Sequence, residues 1–563
     1  MMPDCGCKNC TWYDCAVTNR RWPMGRIAKR VIVSALCAPV VVGAGVALIF
    51  LVPRYHQPIV ISHRTTFITN PLHADGTPNY LAAFNALAGR SIKPDENAGI
   101  PLIFILRPHE PVMMPFWRRE VKALGLNASI KRPPAIGSMM AFFRQRFPDP
   151  AEKRILSAAK GAASQNPRNW MQYMWMNDDK ASRISAEELH LADRQPWVPH
   201  NASVLAAFLD ANAAALGQVR RATALARFFV PLVPDRRRSA AMAFANIPWL
   251  AQCKTLSQLL LAQADLDLGR GRVVACEADL VAIHQLGRLL VHEPQLIIYL
   301  VGRSIDRTAD KGDRVLMRDP LVHEKDAAEY LHRLSSLPPM RTIGAAIGVG
   351  DRMAQLDICV SLYRDIFDTS GRYPDSDING RFFDTFINWN PTLIQINYGY
   401  NLLERFASVP VYSRRAASMR SAMQQMSERI KARRFGLFGR LPNNIEIKAL
   451  STDFRDDVRG CYLAAREAAC TRLTRVAFAV KTFQLHYGKY PPSLAALRPR
   501  YLRTIPRNPL TGRPLVYSCT GGACSLSAAD PITRDRPRSK FGRGLTIQLW
   551  VPAEPVRGRD HPP

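Results

Sequence analysis

The chain has 563 residues, 47% of them hydrophobic and 22% charged, with a formal net charge of +30. That length holds two or three domains with cores of their own, and that composition excludes a disordered or fibrous chain. The charge comes from 76 Lys and Arg against 46 Asp and Glu scattered along the sequence. It favours an anionic partner (nucleic acid, lipid headgroups or an acidic envelope polymer), or marks many solvated arginine faces.

Residues 1–30 read as a Cys/Arg-rich cytoplasmic leader. Cys5, Cys7, Cys10 and Cys15 stand close enough for four thiolates to hold a zinc ion in a reducing compartment. The single residue between Cys5 and Cys7, and the lack of a second ligand cluster, favour an unstructured leader instead, and Met24 is an alternative start. Val31 to Val52 is a run of 22 residues without a charge, about 33 Å as a helix and enough to span a hydrocarbon core. Arg20, Arg21, Arg26, Lys29 and Arg30 precede it, whereas only Arg54 and Arg64 follow closely. The positive-inside rule then expects a single-pass, uncleaved signal anchor in the inner membrane, with a cytoplasmic N-terminus and the bulk of the chain extracytoplasmic.

Residues 53–195 are a mixed juxtamembrane region punctuated by proline. "PLIFILRP" (101–108) fits a buried strand or a short helix, and a helix is expected from Asp149-Pro150 to near Asn166-Pro167. Residues 196–455 are read as a helical domain. Leu205, Phe208, Leu209, Leu216, Val219, Ala222 and Leu225 fall on one helical face, and Leu256, Leu259, Leu260, Ala264 and Leu268 on the next. That second helix ends at "GRG" (269–271), a third ends at Glu293-Pro294, and "QLIIYLVGRSIDRTAD" opens a fourth. Helices of this length joined at a short turn suggest a loosely tetratricopeptide-like array, although no clean repeat is present.

Catalytic motifs are missing. His109-Glu110, His292-Glu293 and His323-Glu324 lack the second histidine of a zinc-protease helix, and no G-x-S-x-G elbow or Walker loop occurs. "GAAIGVGDR" (344–352) has the wrong glycine spacing for a dinucleotide loop and fits a close helix contact. Glu277, Asp279 and His284 share one helix; a buried network between helices is expected ahead of a metal or acid–base site. Residues 413–441 carry eight basic residues and one acid beside Met419, Met423, Met426 and Ile430. This pattern suits a packed helix with a solvated basic face better than a membrane-surface helix. Cys253, Cys276, Cys359, Cys461 and Cys470 sit in apolar helical settings, as buried thiols do. Cys519 and Cys524 flank "TGGA" as two strand ends across a turn and are the disulfide candidate.

Residues 456–552 read as an α+β module: a helix from Asp457 to Tyr487, a Tyr490-Pro491 stop, and short strands near Leu515–Tyr517, Cys524–Leu526 and Leu545–Val551. "HYGKYPPSLAALRPRYLRTIPRNPLTGRPLVYS" (486–518) resembles the C-terminal part of type II secretion pseudopilins of the major-subunit type. There a helix ends at Tyr-Pro, a Leu-rich turn follows, and Pro-Asp-Pro, Gly and Tyr lead into a small sheet. Asn508 stands where that family has Asp, and "SLSAADPITRDRPRSKFG" lacks the paired Asp-Gly turns that bind calcium, so no calcium site is expected. Residues 53–455 separate this module from the apolar run, and the Gly-Phe and Glu processing signature is missing, so this is not an ordinary pilus subunit.

"ISHRTTFITNPLHADGTPNYLAAFNALAGRSIKPDENAGIPL" (61–102) and "DLVAIHQLGRLLVHEPQLIIYLVGRSIDRTA" (279–309) resemble uncharacterised single-pass bacterial envelope proteins that end in the same segment. This second resemblance implies architecture alone. The sequence therefore reads as a mainly α protein with a small α+β pseudopilin-like end and a disordered tail at 553–563. The expected role is an extracytoplasmic scaffold or interaction protein without catalysis or cofactor, binding protein or anionic polymer partners. An envelope hydrolase with scattered active residues is the alternative, and a cytoplasm-facing nucleic-acid binder a third reading.

Overall fold

The computed structural model describes residues 58–111, 113–126, 132–147, 180–235, 241–367, 389–432, 440–520, 523–530 and 545–549. The cysteine cluster at Cys5–Cys15, the apolar run Val31–Val52, the helix expected at 149–167 and the tail at 553–563 lie outside them.

The fold is mainly helical with one small sheet. In chain order the helices are α1 Tyr80–Ala88, α2 Gly99–Ile105, α3 Met114–Ala123, α4 Met139–Arg146, α5 Lys180–Ala192, α6 Ser203–Ala211, α7 Ala213–Thr223 and α8 Pro248–Gly269. There follow α9 Val273–Leu290, α10 Leu296–Arg318, α11 Glu324–Ser336, α12 Arg352–Phe367, α13 Trp389–Ala407, α14 Tyr412–Ala432 and α15 Arg440–Tyr487. The ambiguous "PLIFILRP" is thus part of a helix, α2, with Leu102, Ile103, Phe104 and Ile105 all buried. Strands β1 Val516–Thr520, β2 Ala523–Ala528 and β3 Leu545–Gln548 form an antiparallel meander in the order β1-β2-β3.

Pro58–Asp365 and Asn388–Pro563 belong to one compact unit; of the other unit, Met1–Gln57 with Ile366–Ile387, only Ile366 and Phe367 are described. The core of the larger unit is the mutual packing of α8, α9 and α10, with α7 and α11 against α9 and with α15 against α10 and α11. Leu260, Leu266, Leu280, Ile283, Leu286, Ile305 and Leu316 are all fully enclosed there. Burying such side chains is worth about 1.5–3 kcal/mol each relative to exposure. The loop after α7 is held by two asparagines: Asn97 and Asn85 each donate to and accept from the backbone, at Phe229 and Leu232 respectively, over 2.8–2.9 Å. These amides supply the partners that a β-ladder would give an extended segment.

Residues 346–351 of "GAAIGVGDR" form a π-helical turn leading into α12. A Cβ at Gly350 would overlap the carbonyl oxygen of Pro294, and one at Gly348 the Glu404 carboxyl, so these glycines serve close packing. In α14, Tyr412, Ala416 and Met419 are buried and Tyr412 meets Tyr462 of α15 edge-on, while Arg414 and Arg420 are exposed. The side chains of Met423, Met426 and Ile430 lie outside the described ones. α15 begins upstream of the expected Asp457 and packs against α10, α11, α13 and α14 as well as the sheet, so the C-terminal helix shares the core of the helical region.

One expectation is corrected. Among the described residues no helix is long and apolar enough to cross a membrane, so the transmembrane, single-pass, signal-anchor assignment is not supported; the run Val31–Val52 on which it was made lies outside those residues. Even the long helix α10 carries Arg303, Asp306, Arg307, Asp310, Lys311, Asp313 and Arg314 within its 23 residues. Such a helix suits a protein core with internal ion pairs, since each charge is costly in hydrocarbon.

Candidate functional site

Glu277, Asp279 and His284 do sit together on α9, yet the structure sends them in three directions. Glu277 lies 3.8 Å from Arg333 of α11, and Asp279 lies 3.2 Å from Arg220 of α7. Burial pushes each carboxyl up to about 7, against the opposing pull of its arginine. Only His284 enters a cluster.

That cluster spans four helices. His284 Nδ1 is 2.7 Å from Asp306 Oδ1, and His284 Nε2 is 3.0 Å from Asp313 Oδ2. Asp306 also accepts from Arg288 NH1 at 2.6 Å and, through Oδ2, from the Thr471 hydroxyl of α15 at 3.0 Å. Thr471 lies 3.3 Å from Asp310 Oδ2, and the Tyr330 hydroxyl of α11 donates to Asp313 Oδ1. Arg288 is fixed in turn by Nε donating to the Pro338 carbonyl at 2.9 Å. Beside this group Arg303 donates to the Ala464 carbonyl at 2.9 Å and pairs with Glu467 at 3.5 Å. His284, Asp306, Asp310 and Asp313 are each no more than 1% exposed.

The helical period explains the assembly. Asp306, Asp310 and Asp313 recur at i, i+4 and i+7, so they occupy one stripe of α10 that faces α9. Four-residue spacing likewise puts His284 and Arg288 over one another on α9. Burial would strip the proton from His284, but Asp313 and Asp306 outweigh it and push the imidazole up to about 10. Burial would raise Asp306, but His284 and Arg288 hold its carboxyl well below the usual carboxylate range. Asp310 moves the other way, raised by burial and by the neighbouring Asp306 charge. One of its oxygens, Oδ1, has no hydrogen-bond partner.

Sequence reasoning placed His284 in a network between helices but missed Asp306, Asp310, Asp313, Arg288, Tyr330 and Thr471. The signal was available on α10: the three aspartates share a stripe with Gly302, Ile305, Ala309 and Leu316, the apolar face that must be buried. The other site expectations resolve differently. Cys519 and Cys524 are disulfide-bonded partners at directly opposed positions of β1 and β2, with Cα atoms 4.1 Å apart. Cys253, Cys276, Cys461 and Cys470 are buried, and Cys359 is half-buried.

Two cavities of about 520 and 720 Å³ open elsewhere among the described residues, the first beside His63, Arg64, Arg352 and Asn397, the second beside Arg272, His323 and Asp326. No residue of the His284 cluster lines either. Comparison with protein-family models, with curated proteins and with solved structures finds no match to this chain.

Proposed function

We propose that the protein is a non-enzymatic scaffold or interaction protein of the bacterial envelope, working outside the cytoplasm. The observation that carries this reading is the closure of the His284 cluster. Apart from Asp310 Oδ1, its ionisable groups are spent on one another and on helix-to-helix ties, and neither cavity reaches them. Substrate chemistry needs an accessible face on its acid or base. Such a lock fixes the relative positions of α9, α10, α11 and α15, which suits a body that presents surfaces to a partner.

The Cys519–Cys524 disulfide supports an oxidising compartment. The order long helix, Tyr490-Pro491 stop, Leu494–Leu497 turn and antiparallel hairpin supports a pseudopilin-like ending, and the α8–α9 hairpin supports the loose likeness to helical-hairpin arrays. The excess of basic residues favours an anionic or acidic partner.

Full-length protein incubated with envelope extract and, separately, with wall-derived polymer tests the reading. A stoichiometric complex without polymer turnover is expected. Catalytic turnover of the polymer, abolished by a point substitution, would overturn it in favour of an envelope hydrolase.

A further inference from the structure

We propose that His284, Asp310 and Asp313 bind one divalent transition-metal ion, of the Zn²⁺ or Mn²⁺ class, as a structural staple between α9 and α10. This goes beyond the scaffold reading and does not depend on it, because a chain with no bound metal would still have a closed cluster.

The geometry is that of a donor set. One imidazole nitrogen and one oxygen from each of two carboxylates lie within 4.8 Å of one another, all fully buried. His284 Nε2 and Asp313 Oδ2 stand 3.0 Å apart, the separation of two ligands on one ion whose bonds are about 2.0–2.2 Å long. Independently of that grouping, Asp310 leaves Oδ1 without a hydrogen-bond partner at 1% exposure. A buried carboxylate oxygen with nothing to accept from is costly unless a ligand takes it.

The outer shell fits as well. A metal-bound histidine characteristically donates its other ring N–H to a carboxylate, which fixes the tautomer. Here His284 Nδ1 lies on Asp306, and Asp306 is itself held by Arg288 and Thr471. The Tyr330 hydroxyl steadies Asp313 in the same way.

Three protein donors leave a fourth position for a water, and the enclosed setting, with His284, Asp310 and Asp313 no more than 1% exposed, gives a substrate no path to it, which favours a structural role.

The test uses the full chain carrying C5S, C7S, C10S and C15S, so that the leader thiols cannot compete. Chelator-treated protein is titrated with Zn²⁺ and with Mn²⁺, and bound metal is counted by elemental mass spectrometry. One equivalent per chain and a raised Tm are expected. D310N, nearly the same shape, should lose the bound equivalent, and D306N should weaken binding by roughly 10–100-fold. Co²⁺ in the chain with native Asp310 should show d–d absorption of nitrogen and oxygen ligation, which keeps the proposal testable if either variant misfolds. Substoichiometric metal, a thiolate charge-transfer band, or full binding by folded D310N would each overturn it.

Discussion

Gly287 of α9 and Gly302 of α10 face each other across the helix crossing that builds the cluster. A Cβ on either residue would lie 2.8 Å from the other's carbonyl oxygen, and one on Gly287 would also stand 2.9 Å from the Asp306 backbone nitrogen. These obstacles are backbone atoms, which cannot swing aside. The small pair brings the axes close enough for His284, three residues before Gly287, to reach Asp306, four residues after Gly302. Gly302→Ala should therefore destabilise the protein by about 1–3 kcal/mol through overpacking, despite alanine's better helix propensity. Chemical denaturation measures this. A neutral or stabilised variant would show that the crossing is looser than described.

How much of this was readable beforehand follows from the range of each interaction. The helices from α8 to α10 were legible because their apolar residues recur with the helical period and because "GRG" and Glu293-Pro294 interrupt it. The β1–β2 hairpin and its disulfide were legible because Cys519 and Cys524 are five residues apart, so local geometry decides them. The cluster was not. Its partners come from positions 284, 306, 313, 330 and 471, and nothing local tells His284 which stripe of another helix it will meet. The reach of α15 into the helical core was hidden for the same reason, since Thr471 and Phe478 look like generic helix residues until Asp306 and Tyr330 lie opposite them.

Glu120 gives the folded state a pH dependence of defined sign. It is 1% exposed on α3 with neither carboxylate oxygen hydrogen-bonded. Burial pushes it from the ordinary 4.5 up to about 8, with Arg119 opposing weakly. Between those values the folded chain keeps a proton that the unfolded chain has released, so stability falls as pH rises through that window. The slope contributed is at most about 1.4 kcal/mol per pH unit, and it vanishes below and above the window. Glu120→Gln should flatten this slope and be more stable than the parent near pH 8. Urea melts of both proteins near pH 5 and near pH 8 decide the matter, and parallel pH profiles would contradict the assignment.

The Cys519–Cys524 bridge closes a short loop, so its contribution is bounded. Chain-entropy arguments give about 2 kcal/mol for a loop this small, before any native-state compensation. Unreduced protein should therefore show two fewer alkylatable thiols than reduced protein. Reduction should lower the Tm only modestly and leave the helical circular dichroism signal intact, because the bridge lies on the sheet. Full alkylation of both cysteines in native, unreduced protein would remove the bridge and with it the support for an oxidising compartment.

Asn508 allows the sharpest test of how the C-terminal hairpin is tied down. It is 1% exposed, its Nδ2 donates to the Ala529 carbonyl at 2.7 Å, and its Oδ1 accepts from the Leu510 N–H at 2.9 Å. The backbone closes the same turn, with Asn508 N donating to the Arg513 carbonyl and Gly512 N donating to the Asn508 carbonyl. An amide serves Ala529 and Leu510 at once, whereas an ionised carboxylate has no donor for Ala529. Aspartate would keep the acceptor for Leu510 but set its second oxygen against the Ala529 carbonyl. Asn508→Asp should cost about 1–3 kcal/mol at neutral pH, or more if the carboxylate stays charged in so enclosed a place. The loss should shrink near pH 4, where a protonated carboxyl regains an O–H to donate to Ala529. Melting temperatures of both proteins at the two pH values, each with calcium and with chelator, measure it. Equal stability at neutral pH would mean that the amide bond to Ala529 carries little. A large calcium-dependent rise in the variant alone would mean that this one side chain separates the hairpin from a cation-binding turn.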